Sequence, residues 1–161
     1  MDAIELLRTQ HEEARLLFER ILHSDEDRRT LLQQLAEDLF AHATIEEEIF
    51  YPAAYAKRRT NELFLQSVDE HMLIRQLVAE LLAMEPDDDD FAIKLTMLKD
   101  EVAHHVAEEE NEVFRLARAE LSPEELRRLG EEMEDLFEDE LAEQPVERLP
   151  LYLHLHVPHL P

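Results

Sequence analysis

The chain of 161 residues has no cysteine, no tryptophan and a single glycine. Without cysteine there is no disulfide, no thiolate metal site and no cysteine nucleophile, and nothing requires an oxidising compartment. The scarcity of glycine disfavours sheet turns and long irregular loops, which use it heavily. No run of about 18 uncharged apolar residues is present, so no membrane-spanning helix is expected. The first residues, MDAIELLRTQHEE, carry acidic charge early and do not read as a secretion signal. A cytoplasmic location is the expectation. Basic charge is scarce too: 16 Lys and Arg face 40 Asp and Glu, a net charge of −24. Such a surface repels nucleic acid and anionic membrane, so neither is an expected partner.

What is present favours helix. Leu, Glu, Ala and Arg dominate, all strong helix formers. Four long segments repeat apolar residues with a 3.6-residue period. The first is capped by Asp2, with Glu5 completing a capping box, and its stripe runs Ile4, Leu7, His11, Ala14, Phe18 and Ile21. The loop from His23 to Glu26 ends it. The second follows Leu31, Leu35, Leu39, His42, Glu46, Ile49 and Ala53, and Pro52 is expected to kink or end it near Tyr51. The third starts near Thr60 as cap and follows Phe64, Val68, His71, Ile74, Val78 and Leu81, until Pro86 and the acidic run Asp87 to Asp90, read as a solvated loop and cap. The fourth follows Phe91, Leu95, Leu98, Val102, His105, Glu109, Val113 and Leu116. A fifth helix starts at Ser122-Pro123-Glu124-Glu125, a strong start signal, and Gly130 inside it is expected to weaken it slightly. From Pro145 a two-residue alternation through Leu151, Leu153, Leu155 and Val157 predicts an extended tail.

The expected fold is therefore all-α, an up-down-up-down four-helix bundle over residues 1–120. An additional helix and extended tail over 121–161 would pack on the same domain, and the tail offers a route to an oligomer.

Each of the four long helices carries one histidine on its apolar stripe, near mid-length: His11, His42, His71 and His105. In an antiparallel bundle, mid-helix positions fall at a common height, so the four rings should converge on one core layer. Glu46 and Glu109 each follow a histidine by four residues and share its helix face. A lone histidine on such a stripe is ordinarily a hydrogen-bonded core residue, but four at one height are not so explained. A carboxylate buried without a cation costs several kcal/mol, and this layer would hold two. Imidazole and carboxylate together suit iron, zinc or manganese, and six ligands exceed what one tetrahedral zinc needs. Two ions are expected.

The remaining polar residues read more plainly. Glu12, Glu13, Glu47, Glu48, Glu108 and Glu110 lie off the stripes and are expected in solvent. His104, paired with Glu101 at the Glu-x-x-His spacing, is the rival of His105 on its helix but sits about a quarter-turn away. The tail histidines His154, His156 and His159 read as polar positions of a docked tail. Arg75, four residues after His71, would pair with a ligand carboxylate or extend outward.

The order His11, His42-x-x-x-Glu46, His71, His105-x-x-x-Glu109 resembles the hemerythrin-like, HHE cation-binding family. The strings AHATIEEEIFYP, DEHMLIRQL and HHVAEEENEVF share the likeness, which covers roughly residues 1–118. The resemblance implies a bundle around two iron ions, oxo- or hydroxo-bridged, with manganese or zinc behind iron. His11 and His42 would serve one ion, His71 and His105 the other, and Glu46 and Glu109 would bridge. Two departures from oxygen-carrying hemerythrins stand out: Arg75 occupies the slot of a second third-helix histidine, and Glu109 replaces an aspartate one residue later. One histidine fewer leaves an open position. It directs the expectation toward binding or turnover of a small oxidant (peroxide, O2 or NO), catalase-like or ferroxidase in kind. An O2 or iron carrier or sensor, and a structural zinc bundle, are the alternatives. Leu7, Leu39, Ile49, Ile74 and Val102 are expected around the pocket.

Overall fold

A computed structural model describes residues 1–59 and 61–143. Helix α1 spans Ala3–His23, and α2 spans Arg28–Ile45. A single π-helical turn, π1, covers Glu46–Phe50 and runs into α3, Tyr51–Ala54. Helix α4 covers Glu62–Leu82 and α5 covers Asp89–Glu108. A second π turn, π2, covers Glu109–Val113 and runs into α6, Phe114–Glu120. Helix α7 spans Pro123–Ala142. The described residues are all-α, with α2–π1–α3 and α5–π2–α6 each forming one long continuous helix.

The starts follow local chemistry. Asp2 and Ser122 each accept the backbone N–H three residues on, while Glu5 and Glu125 bond back, so both expected capping boxes form. Asp88 sits at the start of α5, but its carboxylate accepts the Glu85 N–H rather than a helix N–H. Thr60 and the tail beyond residue 143, with His154, His156 and His159, lie outside the described residues.

Pro52 does not end the second long helix, which continues to Ala54. Proline breaks an α-helix because it lacks an N–H and crowds the carbonyl four residues back. Here the ladder shifts to i→i+5 bonding just before it, with the Tyr51 N–H on the Glu46 carbonyl. Proline is not the whole cause, because π2 has the same form with no proline. What the two turns share is a buried glutamate at their first position.

Helix α1 packs on α2, and α4 on α5, while α7 lies across α1 and α2. Two apolar clusters form the core. One gathers Phe18, Ile21, Leu35, Leu81, Phe91 and Leu95. The other gathers Ile4, Leu7, Ile45, Phe50, Phe114 and Met133. Each buried Phe or Leu contributes about 1.5–3 kcal/mol of transfer free energy. On every long helix the stripe histidine falls between the stretches given to the two clusters, so a polar layer separates them. Gly130 has a specific task. A Cβ there would lie 2.4 Å from the Met1 carbonyl oxygen and 2.9 Å from the Ala3 nitrogen, so its absence lets α7 touch the start of α1.

Candidate metal centre

The structure brings all six expected residues into that polar layer. His11, His42, Glu46 and Glu109 form one group of donor atoms within 4.8 Å of one another, and Glu46, His71 and His105 form a second. Glu46 belongs to both. Its Oε1 lies 2.8 Å from His42 Nε2 and 3.3 Å from His71 Nε2. Glu109 reaches both sides as well: Oε1 is 3.1 Å from His11 Nε2, and Oε2 is 3.4 Å from His105 Nε2. His71 and His105 face each other Nε2 to Nε2 at 3.0 Å. The helix geometry explains the convergence, since positions i and i+4 put each glutamate under its own histidine.

Every one of these histidines turns Nε2 inward and Nδ1 toward an outer partner. His42 Nδ1 is 2.6 Å from Gln10 Oε1, and His105 Nδ1 is 3.0 Å from Glu70 Oε1. His71 Nδ1 is 3.6 Å from Glu47, and His11 Nδ1 is 3.7 Å from Glu110. At His42 and His105 this hydrogen bond fixes the ring and its tautomer and makes the inward nitrogen a better donor to a cation; the Nδ1 atoms of His11 and His71 face their carboxylates beyond hydrogen-bond reach.

Burial is nearly complete, with Glu46 at 0% and Glu109 at 1% exposed. Burial alone would lower the pKa of His11, His71 and His105. Close carboxylates outweigh it and raise all three: Glu109 foremost, with Glu46, at His11; Glu46 and Glu47 at His71; and Glu109, Glu46 and Glu70 at His105. Burial would raise Glu46; the neighbouring histidines, His42 foremost, hold it well below the usual carboxylate range instead. The donor set fits a cation on a further count. His11 Nε2, His42 Nε2, Glu46 Oε1 and Glu109 Oε1 are buried without a hydrogen-bond partner, which ordinary buried polar atoms avoid.

Sequence reasoning missed Tyr51. Its hydroxyl lies 3.0 Å from Glu46 Oε2 and 2.5 Å from Glu109 Oε2, and 3.4 Å from His105 Nε2. Burial and the two carboxylates push the phenol well above its ordinary range. The π turn brings it there, because i→i+5 bonding aligns Tyr51 with Glu46.

Three expectations need correction. Glu47 is not in solvent: its side chain is 15% exposed and pairs with Arg75, Nη2 to Oε2 at 2.6 Å. Burial would raise its pKa, but His71 and Arg75 lower it to about 2. Arg75 does not extend outward; it is buried, and its guanidinium lies over the Phe40 ring. Glu110, read as solvated, is partly covered and pairs with Arg8 at 2.8 Å. Between the rivals on α5, His105 enters the layer. His104 stays exposed beside Glu70 and Glu108.

A cavity of about 40 Å³ adjoins the four histidines. Leu39, Ile74 and Val102 line it as expected. Leu7 and Ile49 do not; they belong to the apolar cluster on the other side of the polar layer. The carboxylates and Tyr51 therefore close one side of the layer, and the cavity opens on the other.

A helical bundle with a buried histidine–carboxylate layer of this kind defines a cation-binding class of protein. The sequence profile of the hemerythrin HHE cation binding domain matches residues 2–117, and the chain belongs to that family. It is similar to a protein named DNA nickase from Nostoc sp., 30% identical over 129 residues, which cover 77% of this chain and 36% of the relative. The chain thus spans about a third of that relative's length. Among solved structures it resembles a hemerythrin HHE cation binding domain-containing protein from Mycobacterium kansasii. The TM-score is 0.80, with 23% identity and 93% of each chain covered, which shows a shared fold. No described helix is long and apolar enough to cross a membrane.

Proposed function

We propose that this protein holds two iron ions and binds or turns over a small oxidant, with peroxide disproportionation the most concrete activity. His11 and His42 would hold one ion, His71 and His105 the other, with Glu46 and Glu109 shared between them. Tyr51 would supply a further oxygen to the His71–His105 side. The observation that carries this reading is the set of buried, unpartnered donor atoms facing one another between two apolar clusters. Two carboxylates in such a place are stable only with positive charge beside them. Iron would supply the one- and two-electron chemistry that no side chain here provides.

The chain's own residues define what reaches the centre. Aliphatic side chains such as Leu39, Ile74 and Val102 share the cavity wall with the histidines and with Gln10, Glu13, Asp38 and Arg75, and its volume suits a molecule of two or three heavy atoms. Peroxide, O2 and NO meet that limit. Gln10 and Glu70 hold the His42 and His105 imidazoles by hydrogen bonds, and Glu47 and Glu110 set negative charge 3.6 and 3.7 Å from His71 and His11. With a net charge of −24, nucleic acid is not the partner we propose.

Elemental analysis of protein purified without added metal, with an absorption spectrum and an oxygen-evolution assay on peroxide, tests the reading. Two irons per chain, a near-ultraviolet ferric band and oxygen release are expected. Iron with reversible oxygen binding and no turnover would convert the reading to a carrier or sensor. Zinc in the purified protein, with no response to iron, would leave a structural bundle.

A further inference from the structure

The centre is built from two nearly equivalent halves. Helix α1 with α2–π1–α3 forms one, and α4 with α5–π2–α6 the other. The residue just before the first histidine of each half holds the Nδ1 of the second: Gln10 on His42 at 2.6 Å, Glu70 on His105 at 3.0 Å. The residue just after each shared glutamate crosses to the opposite half: Glu47 to His71 at 3.6 Å, Glu110 to His11 at 3.7 Å. Each of these two acids also carries an arginine, though from unmatched positions: the buried Arg75 follows His71 by four residues, and the half-exposed Arg8 precedes His11 by three. The aromatic ring five residues after each shared glutamate stacks across as well. Tyr51 lies on His71 with rings 18° apart, and Phe114 on His11 with rings 4° apart. The paired rings His11–His42 and His71–His105 meet edge-on at 61° and 64°.

Against this symmetry, two positions differ in chemistry. Glu70 stands where the other half has Gln10, and Tyr51 where it has Phe114. Both differences favour the same side. A carboxylate accepting the Nδ1–H of His105 makes its Nε2 a stronger donor than the neutral amide makes that of His42. It also places one more negative charge beside that half, which a cation gains from. Glu70 has outer neighbours too: its second oxygen lies 3.5 Å from the exposed His104, and Glu108 stands beside both. The Tyr51 oxygen lies 3.4 Å from His105 Nε2.

We propose that the two half-sites fill in order, the His71–His105 side first, and that Glu70 is the positioning residue that sets this order. The proposal rests on the reading that the centre holds two ions, and its test separates the two ideas.

Stepwise addition of Co²⁺ to the metal-free protein, against a competing chelator, gives both dissociation constants, and native mass spectrometry counts ions per chain. The wild type should show one-ion protein as the main species at half loading, with the constants at least roughly tenfold apart. His42→Ala should keep the tight step, and His71→Ala should lose it. Glu70→Gln should weaken the tight step by roughly 10- to 100-fold, toward the second. Gln10→Glu should strengthen the weak step by the same order, a gain that misfolding cannot imitate. Two indistinguishable steps in the wild type overturn the ordering alone. So does a Glu70→Gln protein whose tight step stays within about threefold of wild type. A wild type that takes up no ion overturns the two-ion reading, and the ordering with it.

Discussion

The hydroxyl of Tyr51 lies 2.5 Å from Glu109 Oε2 while standing 3.0 Å from Glu46 Oε2. A phenol has one hydrogen, so it donates to Glu109 and leaves the second carboxylate facing an oxygen lone pair. That arrangement holds more acceptors than protons, and a cation beside it reverses the upward push on the phenol. Iron-loaded wild type should therefore show a visible phenolate-to-iron charge-transfer band. Tyr51→Phe should lose the band while elemental analysis still counts two irons. A band that survives in the variant would remove Tyr51 from the ligand set.

Arg75 gives a stability prediction. It is buried at 3% exposure and paired with Glu47, which also holds His71. Arg75→Met leaves the Glu47 charge in place without its arginine, so unfolding free energy should fall by about 3 kcal/mol or more in urea melts. Adding Glu47→Gln should recover part of that loss, because the stranded charge is gone. A loss below about 1 kcal/mol for Arg75→Met would show that the pair behaves as a surface contact.

Asp38 predicts a pH dependence of the less common sign. Burial, then Glu13 and Glu37, raises its carboxyl to about 6 from 3.8. The folded state thus holds the proton more tightly than the unfolded chain does. A penalty accrues as pH rises from about 4 to 6 and is constant above that. Asp38→Asn should accordingly stabilise the metal-free protein at pH 7 by about 1–2 kcal/mol, after discount for solvent screening, and by little at pH 4. Thermal melts of both proteins across this range check it, and an equal gain at both pH values would refute the assignment.

Gly130 predicts a reversal of helix propensity. In an exposed helix, Gly→Ala stabilises by about 1 kcal/mol. Here the new methyl would meet backbone of residues 1–3, at 2.4 Å from the Met1 carbonyl oxygen. Gly130→Ala should lower the melting temperature by several degrees, and a rise would show that α1 can retreat at no cost.

Much of this was readable in the chain because the ligand candidates obey α-helical periodicity. His11, His42, His71 and His105 lie on apolar stripes, and Glu46 and Glu109 follow at i+4, so one face of each helix carries the layer. Tyr51 was hidden for the same reason. Five residues along an α-helix is about 140° away from the starting face, and only a π turn brings it back. Gln10, Glu47, Glu70 and Glu110 were hidden differently. Each is the immediate neighbour of a stripe residue, so it points between helices, and its partner lies on another segment far along the chain. Gly130 carried no sequence sign of the close approach it permits, because α1 and α7 meet only in the folded molecule.

The cavity beside the histidines has a consequence for reagents that would meet the proposed centre. A space of about 40 Å³ beside all four histidines matches hydrogen peroxide in size. A second space, of about 320 Å³, touches His11 but none of the other three and is bordered by Arg8, Arg15 and Lys99. A larger, anionic reagent would therefore meet one half of the centre and not the other, so size and charge would sort reagents by half-site.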